Sequence, residues 1–291
     1  MTRFLIIGDL HGNKPLISTK DFDAIIAPGD FCSDKGIREY IQAAYKQFLQ
    51  NPENYKEWYD LSGKIKAKKL IKNSMKKGRE ILEFLNSFEV PVYVVPGNWD
   101  LTGSKDKWKF LVKNYYKSYL IKGLKNVKDL HNKLLQTKEF QLIGYGICNG
   151  PELYKYRGYK KIKKKESIEN KEKYNILVKK YNALFIKLNK KKPVLFITHN
   201  VPFNTKLDKI TDKKSLRYGY HYGSVLARDI ILKHKPLVCI GGHIHEHFGK
   251  DKLGKTTIIN AGFGSNVNTI LEIKDNKITK LKFIKKKINQ N

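Results

Sequence analysis

An α/β fold is predicted by three features of the sequence: short apolar runs, glycine or proline bounding them, and helical stretches between them. The runs are Phe4-Leu5-Ile6-Ile7, Ala24-Ile25-Ile26-Ala27, Val92-Tyr93-Val94-Val95, Val194-Leu195-Phe196-Ile197, Leu237-Val238-Cys239-Ile240 and Thr257-Ile258-Ile259. Each reads as a buried strand, and each runs straight into a polar cluster. In order the clusters are Gly8-Asp9-Leu10-His11-Gly12, Pro28-Gly29-Asp30, Pro96-Gly97-Asn98-Trp99-Asp100, Thr198-His199, Gly241-Gly242-His243-Ile244-His245 and Asn260-Ala261-Gly262. Ligands of α/β folds sit just beyond the carboxyl ends of the strands, so the clusters mark the expected site.

After Asp30 a helical stretch is expected from about Gly36 to Phe88, where Ala67, Leu70, Ile71, Ser74, Met75, Gly78, Ile81, Leu82 and Leu85 recur at helical spacing. The lysines between them, Lys64 to Lys76, are its solvated face. Pro91, Pro193 and Pro236 each precede a strand by one residue or less, where proline ends a helix without breaking a central ladder. Val127 to Tyr145, including Lys138-Glu139-Phe140-Gln141-Leu142-Ile143, reads as short antiparallel strands. A Lys-rich insertion is expected at about 153–192, its part from Tyr159 to Lys173 as a mobile basic segment. Ser224 to His234 reads as a helix with Ser224 as N-cap and Lys233 and His234 at its negative end. The last strands are Thr269 to Lys274 and Ile278 to Ile284. Because the clusters extend from Asp9 to Gly262, residues 1–291 read as one domain carrying both insertions.

The net charge is +31 over 291 residues, and anionic substrates are drawn to such a chain. Fifteen Lys/Arg and three Glu between Leu153 and Lys192 carry +12 of it, and the rest is dispersed. Nucleic acid is therefore an admitted partner and not the favoured one. No run reaches the roughly 18 apolar residues of a membrane span, and the apolar stretch after Arg3 is too short for a signal peptide. Cys32, Cys148 and Cys239 form no C-x-x-C spacing, so a reducing cytoplasm is the expected compartment.

The clusters supply carboxylate, imidazole and amide oxygen, the donors of a divalent ion pair. Carboxylate can bridge because each of its oxygens can face a different ion, imidazole gives a borderline nitrogen, and amide oxygen is a weak neutral ligand. Two ions about 3.5–4 Å apart can activate a water and hold a phosphoryl oxygen. On Asp9-Leu10-His11, Gly29-Asp30, Gly97-Asn98-Trp99-Asp100, His199 and Gly242-His243-Ile244-His245, the chain resembles the calcineurin-like metallophosphoesterases, whose pattern is D-x-H, G-D, G-N-H-D/E, H and G-H-x-H. The resemblance implies a four-layer sandwich of two mixed β-sheets flanked by helices. It implies that Asp9, His11 and His245 hold a first metal, that Asn98, His199 and His243 hold a second, and that Asp30 bridges them. It also implies phosphomonoester or phosphodiester hydrolysis. Mn²⁺ is the expected metal, with Fe, Zn, Ni, Co or Mg admitted by the same donors.

One position departs from the pattern. Trp99 stands where the family has a histidine that protonates the leaving group, and an indole N–H is no acid at useful pH. Proton donation matters most for poor leaving groups, so a phosphodiesterase acting on a small or nucleotide-like diester by metal-bound hydroxide attack is the expected activity. With Asp30 and Asn98, His221 in Gly219-Tyr220-His221-Tyr222-Gly223 is the further candidate catalytic residue, as it precedes a helix N-terminus that favours phosphate. His131 and His234 are expected at the surface, His247 as a bystander, Cys32 as packed, and Asp100 as a helix cap or ion-pair partner. The alternatives are a nuclease of the same superfamily and a non-catalytic scaffold; the complete set of donors argues against the scaffold.

Overall fold

The computed structural model describes residues 1–103, 106–156 and 164–286. Its strands are β1 (Thr2–Ile6), β2 (Ala24–Ala27), β3 (Val92–Val94), β4 (Val127–Asp129), β5 (Leu134–Gln136), β6 (Gln141–Tyr145), β7 (Val194–Asn200), β8 (Val238–Gly242), β9 (Gly249–Leu253), β10 (Thr256–Asn260), β11 (Val267–Lys274) and β12 (Lys277–Lys285). Its α-helices are α1 (Arg38–Gln50), α2 (Trp58–Ser62), α3 (Lys64–Asn86), α4 (Lys109–Val112), α5 (Lys164–Ile186) and α6 (Val225–His234). The strands form two six-stranded sheets, in the orders β12-β11-β1-β2-β3-β4 and β5-β6-β7-β8-β10-β9. Both are mixed. β1 to β4 run parallel, with β11 and β12 antiparallel at one edge. In the second sheet β6, β7, β8 and β10 are parallel, with antiparallel β5 and β9 at the edges.

Successive side chains of a strand point to opposite faces, and here both faces are covered. Phe4, Ile6 and Ile26 of the first sheet meet Leu195, Ile197, Ile240 and Ile259 of the second in a core between the sheets. The alternate residues, Leu5, Ile25, Val92 and Val94, pack instead on Ile71, Met75, Leu82 and Leu85 of α3. On the far side Phe196, Cys239 and Ile258 pack on Tyr181 and Phe185 of α5 and on Leu226 and Ile230 of α6. Helix, sheet, sheet, helix is the four-layer sandwich that the resemblance implied. Burial on both faces is why these strands are continuous apolar runs; each fully buried aliphatic side chain contributes about 1.5–3 kcal/mol.

Three expectations change. The stretch from Gly36 to Phe88 is three helices, because Asn51 closes α1 in an extended conformation and Gly63 has φ 78° between α2 and α3. Within α3 the predicted stripe is buried from Ala67 to Leu85 except at Leu70, which is half-buried against the same core. β4 is parallel to β3 in the first sheet, whereas only β5 and β6 pair antiparallel; Lys138 and Glu139 lie in the turn, where the Thr137 hydroxyl accepts from Phe140 N at 3.0 Å. In the Lys-rich insertion Tyr159 to Lys163 fall outside the described residues, and the chain is helical from Lys164. α6 agrees with its expectation: Ser224 Oγ accepts from Ala227 N at 3.0 Å. The hairpin between β11 and β12 turns at Asp275 and Asn276, both at positive φ (49° and 59°), as a tight turn between twisted strands requires. No helix of the described residues is long and apolar enough to cross a membrane.

Candidate metal centre

Parallel strands from both sheets deliver the polar clusters to one edge. Asp9 and Asp30 follow β1 and β2, Asn98 follows β3, His199 lies near the end of β7, and His243 follows β8. The register of β7 against β8 shifts between Ile197 and Asn200, the kind of irregularity that re-aims a side chain, and His199 sits inside it. Three of these residues occupy left-handed backbone: His11 (φ 45°), Asp30 (φ 57°) and His243 (φ 68°). Such conformations are rare without glycine and gather at functional sites. Gly97 is required by packing, since a Cβ there would overlap the Asp30 carboxylate.

Two donor groups result. Asp9, His11 and His245 form one, and Asp30, His199 and His243 the other, with the ligating atoms of each within 4.8 Å of one another. In the first, His245 Nε2 is 2.9 Å from Asp9 Oδ2 and 3.2 Å from His11 Nε2. In the second, His199 Nε2 is 2.8 Å from Asn98 Oδ1 and 3.2 Å from His243 Nδ1. Asp30 Oδ2 lies between the groups, 3.6 Å from His11 Nε2 and 3.4 Å from His199 Nε2. Its Oδ1 accepts from Trp99 N at 2.8 Å. A single oxygen therefore faces both groups, in contrast to the expected use of both carboxylate oxygens, because the backbone of Trp99 occupies the other.

The residues fit divalent ions. An octahedral ion with bonds of about 2.1 Å sets neighbouring donors about 3 Å apart, as found here. Asp9 Oδ1, fully buried, has no hydrogen-bond partner among the described residues, and a buried carboxylate oxygen without one is costly. His199 Nδ1 donates to Pro28 O at 2.9 Å, which fixes the tautomer and leaves Nε2 free to coordinate. The chain thus carries two candidate divalent-metal sites.

Burial alone would raise the Asp30 carboxyl, but the imidazoles of His199, His11 and His243 outweigh it and hold the group well below the usual carboxylate range. Burial opposes a charged His199, and Asp30 and Asp9 overcome it, taking the imidazole up to about 9. His245 is also raised against burial, by Asp9. His243 and His11 are lowered by burial, His243 further by His199 and Arg217. In the metal-free protein His199 therefore holds a proton at pH 7 that a cation must displace. Calorimetric titration with Mn²⁺ in buffers of differing ionisation enthalpy is expected to register its release, with affinity rising up to about pH 9; no proton release would contradict the arrangement. The stability supplied by the raised His199 is present in full below 6.5 and lost as pH rises through about 9, so EDTA-treated protein should melt lower at pH 9.5 than at pH 6.

Several expectations are corrected at this site. Among the described residues Asp100 neither caps a helix nor forms a salt bridge. It is fully buried, and its carboxylate accepts from Asp30 N and Gly97 N at 2.8 Å, Phe31 N at 2.8 Å and Cys32 N at 3.0 Å, tying the Gly29-Asp30 and Gly97-Asn98 loops together. The N-terminus of α6 is not open to phosphate, because Glu152 accepts from Val225 N at 2.7 Å, Leu226 N at 3.3 Å and the Ser224 hydroxyl at 2.5 Å. That removes one reason for assigning His221 to substrate. What the structure gives His221 is a 2.8 Å bond from Nδ1 to the buried Asp208, and Tyr222 beside it, whose ring stacks toward His243 at 6.5 Å. His131 and His234 are half-buried, His131 accepting from Gly146 N at 3.0 Å and His234 stacked on Phe185 at 4.6 Å. His247 bonds Lys209 O at 2.5 Å. The Asn260-Ala261-Gly262 cluster is scaffolding: Gly262 O accepts from Asp9 N at 3.0 Å and Asn260 Nδ2 donates to Ile244 O at 2.7 Å. Cys32 is packed, its thiol pushed up by burial.

A family model described as calcineurin-like phosphoesterase matches residues 2–247. The chain belongs to the calcineurin-like phosphoesterase family. Among solved structures, one crystal structure aligns at TM-score 0.62 and 15% identity, covering 98% of each chain. TT1561 of Thermus thermophilus aligns at TM-score 0.48 and 13% identity over 98% of each chain. A dimetal phosphatase from Danio rerio aligns at 0.49 and 11% over 98% of each. At these identities the likeness is one of fold alone. No curated protein matches the chain. Family membership and the two donor groups together make this calcineurin-like phosphoesterase a metal-dependent hydrolase.

Proposed function

We propose that this phosphoesterase is a two-metal phosphodiesterase acting on a small or nucleotide-like diester. The observation that carries the reading is Asp30 Oδ2, set between two donor groups at 3.6 and 3.4 Å. In this reading Asp9, His11 and His245 hold one ion, Asn98, His199 and His243 the other, and Asp30 both. Ions bound there supply an activated water and polarise a phosphoryl oxygen. The chain's own part is to fix the donors. Pro28 O orients His199, the Asp9 carboxylate accepts from His243 N at 2.6 Å, and Asp100 locks the two loops. We assign His221, held by Asp208, a place against the substrate. Mn²⁺ is the metal we propose, and the three buried free cysteines support a reducing cytoplasm as its compartment. Both sheets contribute donors, which supports reading residues 1–291 as one domain.

Trp99 borders the first donor group, its ring 6.1 Å from that of His11, and it offers no proton. Good leaving groups are therefore favoured. Metal analysis of the purified protein, with turnover of bis(p-nitrophenyl) phosphate and p-nitrophenyl phosphate against added Mn²⁺, is the test. Two ions per chain and preference for the diester are expected; no metal, or no Mn²⁺-dependent turnover, refutes the reading. Trp99→His should raise turnover of alkyl phosphoesters by about 10-fold or more, within the range an added general acid provides, and change the aryl diester far less. A steep loss of DNA affinity with salt would instead transfer the assignment to a nuclease.

A further inference from the structure

We propose that Arg217 is an anion-binding residue of this site and grips phosphate oxygens of the substrate. The inference rests on the phosphoesterase reading above. Arg217 lies in the segment between β7 and α6, and its guanidinium carbon stands 4.2 Å from the ring centroid of Tyr222 and 4.9 Å from that of Tyr45. Its Nε is buried without a hydrogen-bond partner, and among the described residues no carboxylate, carbonyl or hydroxyl accepts from the guanidinium. A guanidinium between two rings has surrendered water on its faces while keeping five in-plane donors. Buried donors left unmade cost stability, and a phosphate completes such a fork in bidentate geometry.

The position is built. Asp208, fully buried, accepts from Asn204 N at 2.9 Å, Thr205 N at 2.8 Å, Gly223 N at 2.9 Å and His221 Nδ1 at 2.8 Å, pinning the segment at both ends. The Tyr222 carbonyl accepts from the buried Asn200 Nδ2 at 2.7 Å. α1 supplies the other wall. Arg38 and Tyr45 are two helical turns apart, about 10 Å along the axis, on one face. Arg38 lies over the Trp99 ring at 5.4 Å, beside His11 of the first donor group; Tyr45 touches Arg217, which through Tyr222 adjoins His243 of the second. One helix thus spans the donor pair, with a guanidinium at each end. The two differ in their charge partners: Arg38 is ion-paired with Asp34, and Arg217 has no counter-ion among the described residues.

The test uses the full chain as wild type, Arg217→Gln and Arg217→Lys, with melting curves to confirm folding. In EDTA, calorimetric titration with inorganic phosphate and pyrophosphate reads the guanidinium without cations. In Mn²⁺, the inhibition constants of both anions and kcat on bis(p-nitrophenyl) phosphate are measured. Arg217→Gln should weaken pyrophosphate about 10- to 100-fold, the worth of a charge-assisted hydrogen bond, with Arg217→Lys in between. If the guanidinium grips the transferred phosphoryl group, kcat falls and both anions weaken; if it grips a second phosphate, the loss is confined to pyrophosphate. Affinities for both anions unchanged by Arg217→Gln, in EDTA and in Mn²⁺, overturn the proposal. A wild type that binds no Mn²⁺ and turns over no phosphoester fails the functional reading instead, and the EDTA titration still decides the arginine.

Discussion

Asp30→Asn is expected to lose turnover by about 10³-fold or more, because removal of even one preorganised electrostatic group costs about 10²–10³, and Asp30 faces both donor groups. The substitution preserves shape, and the amide oxygen can still accept from Trp99 N as Oδ1 does now. What it changes is the atom between His11 Nε2 and His199 Nε2, where an N–H replaces a charged lone pair. An amide nitrogen there cannot coordinate, so both ions lose a ligand and the affinity drop should exceed the roughly 10- to 100-fold typical of an outer partner. His199 would also lose its nearest raising charge, with only the weaker pull of Asp9 and the Pro28 carbonyl left against the burial that lowers it. Metal content and kcat should therefore fall together while near-ultraviolet circular dichroism stays native. Full turnover with two ions bound would refute the bridging role.

The parts of the fold that could be read in advance are those buried on both sides. All six apolar runs became central strands, β1, β2, β3, β7, β8 and β10, because a parallel strand covered on each face has no polar position to interrupt it. Edge strands give no such signal. β9, Gly-Lys-Asp-Lys-Leu, carries charges on an exposed edge and passed unread. β4 was expected beside β5 because alternation identifies a strand without naming its partner, and the partner is set by where the chain crosses between sheets.

At the site, the donors were legible because metal chemistry demands particular atoms and strand ends deliver them. Groups acting through packing were not. Arg38, Tyr45 and Arg217 are single residues in a helix and a loop, and nothing in their spacing foretells that α1 sets Arg38 over Trp99 and Tyr45 against Arg217. The N-terminus of α6 looked like a phosphate site until Glu152, from 72 residues earlier, took its N–H groups. Asp100 reads as a cap in the sequence, and only the structure shows that no helix follows it directly: Leu101 takes φ 46° and Leu101-Thr102-Gly103 is irregular.

Asp100 carries the largest expected effect on stability. Asp100→Ala leaves the N–H groups of Asp30, Phe31, Cys32 and Gly97 without their acceptor in a dry interior. Each unsatisfied buried donor costs about 1–3 kcal/mol, so a loss of several kcal/mol is expected against a total that is typically about 5–15 kcal/mol. The carboxylate itself is held at a cost, since burial and then Asp30 push it up to about 6. Asp100→Asn removes the repulsion with Asp30 and keeps the shape, but its single oxygen cannot serve all four donors. It should therefore fall between wild type and Asp100→Ala in urea denaturation. The consequence reaches the metals as well. Asp30 is kept at φ 57°, a conformation its own side chain does not favour, by a loop whose amides converge on Asp100. Releasing those amides lets the backbone relax and carries Asp30 away from the position between the donor groups, so loss of stability and loss of metal should track one another across the two variants. Asp100→Ala within about 1 kcal/mol of wild type, with both ions still bound, would show that the loops hold their shape without it.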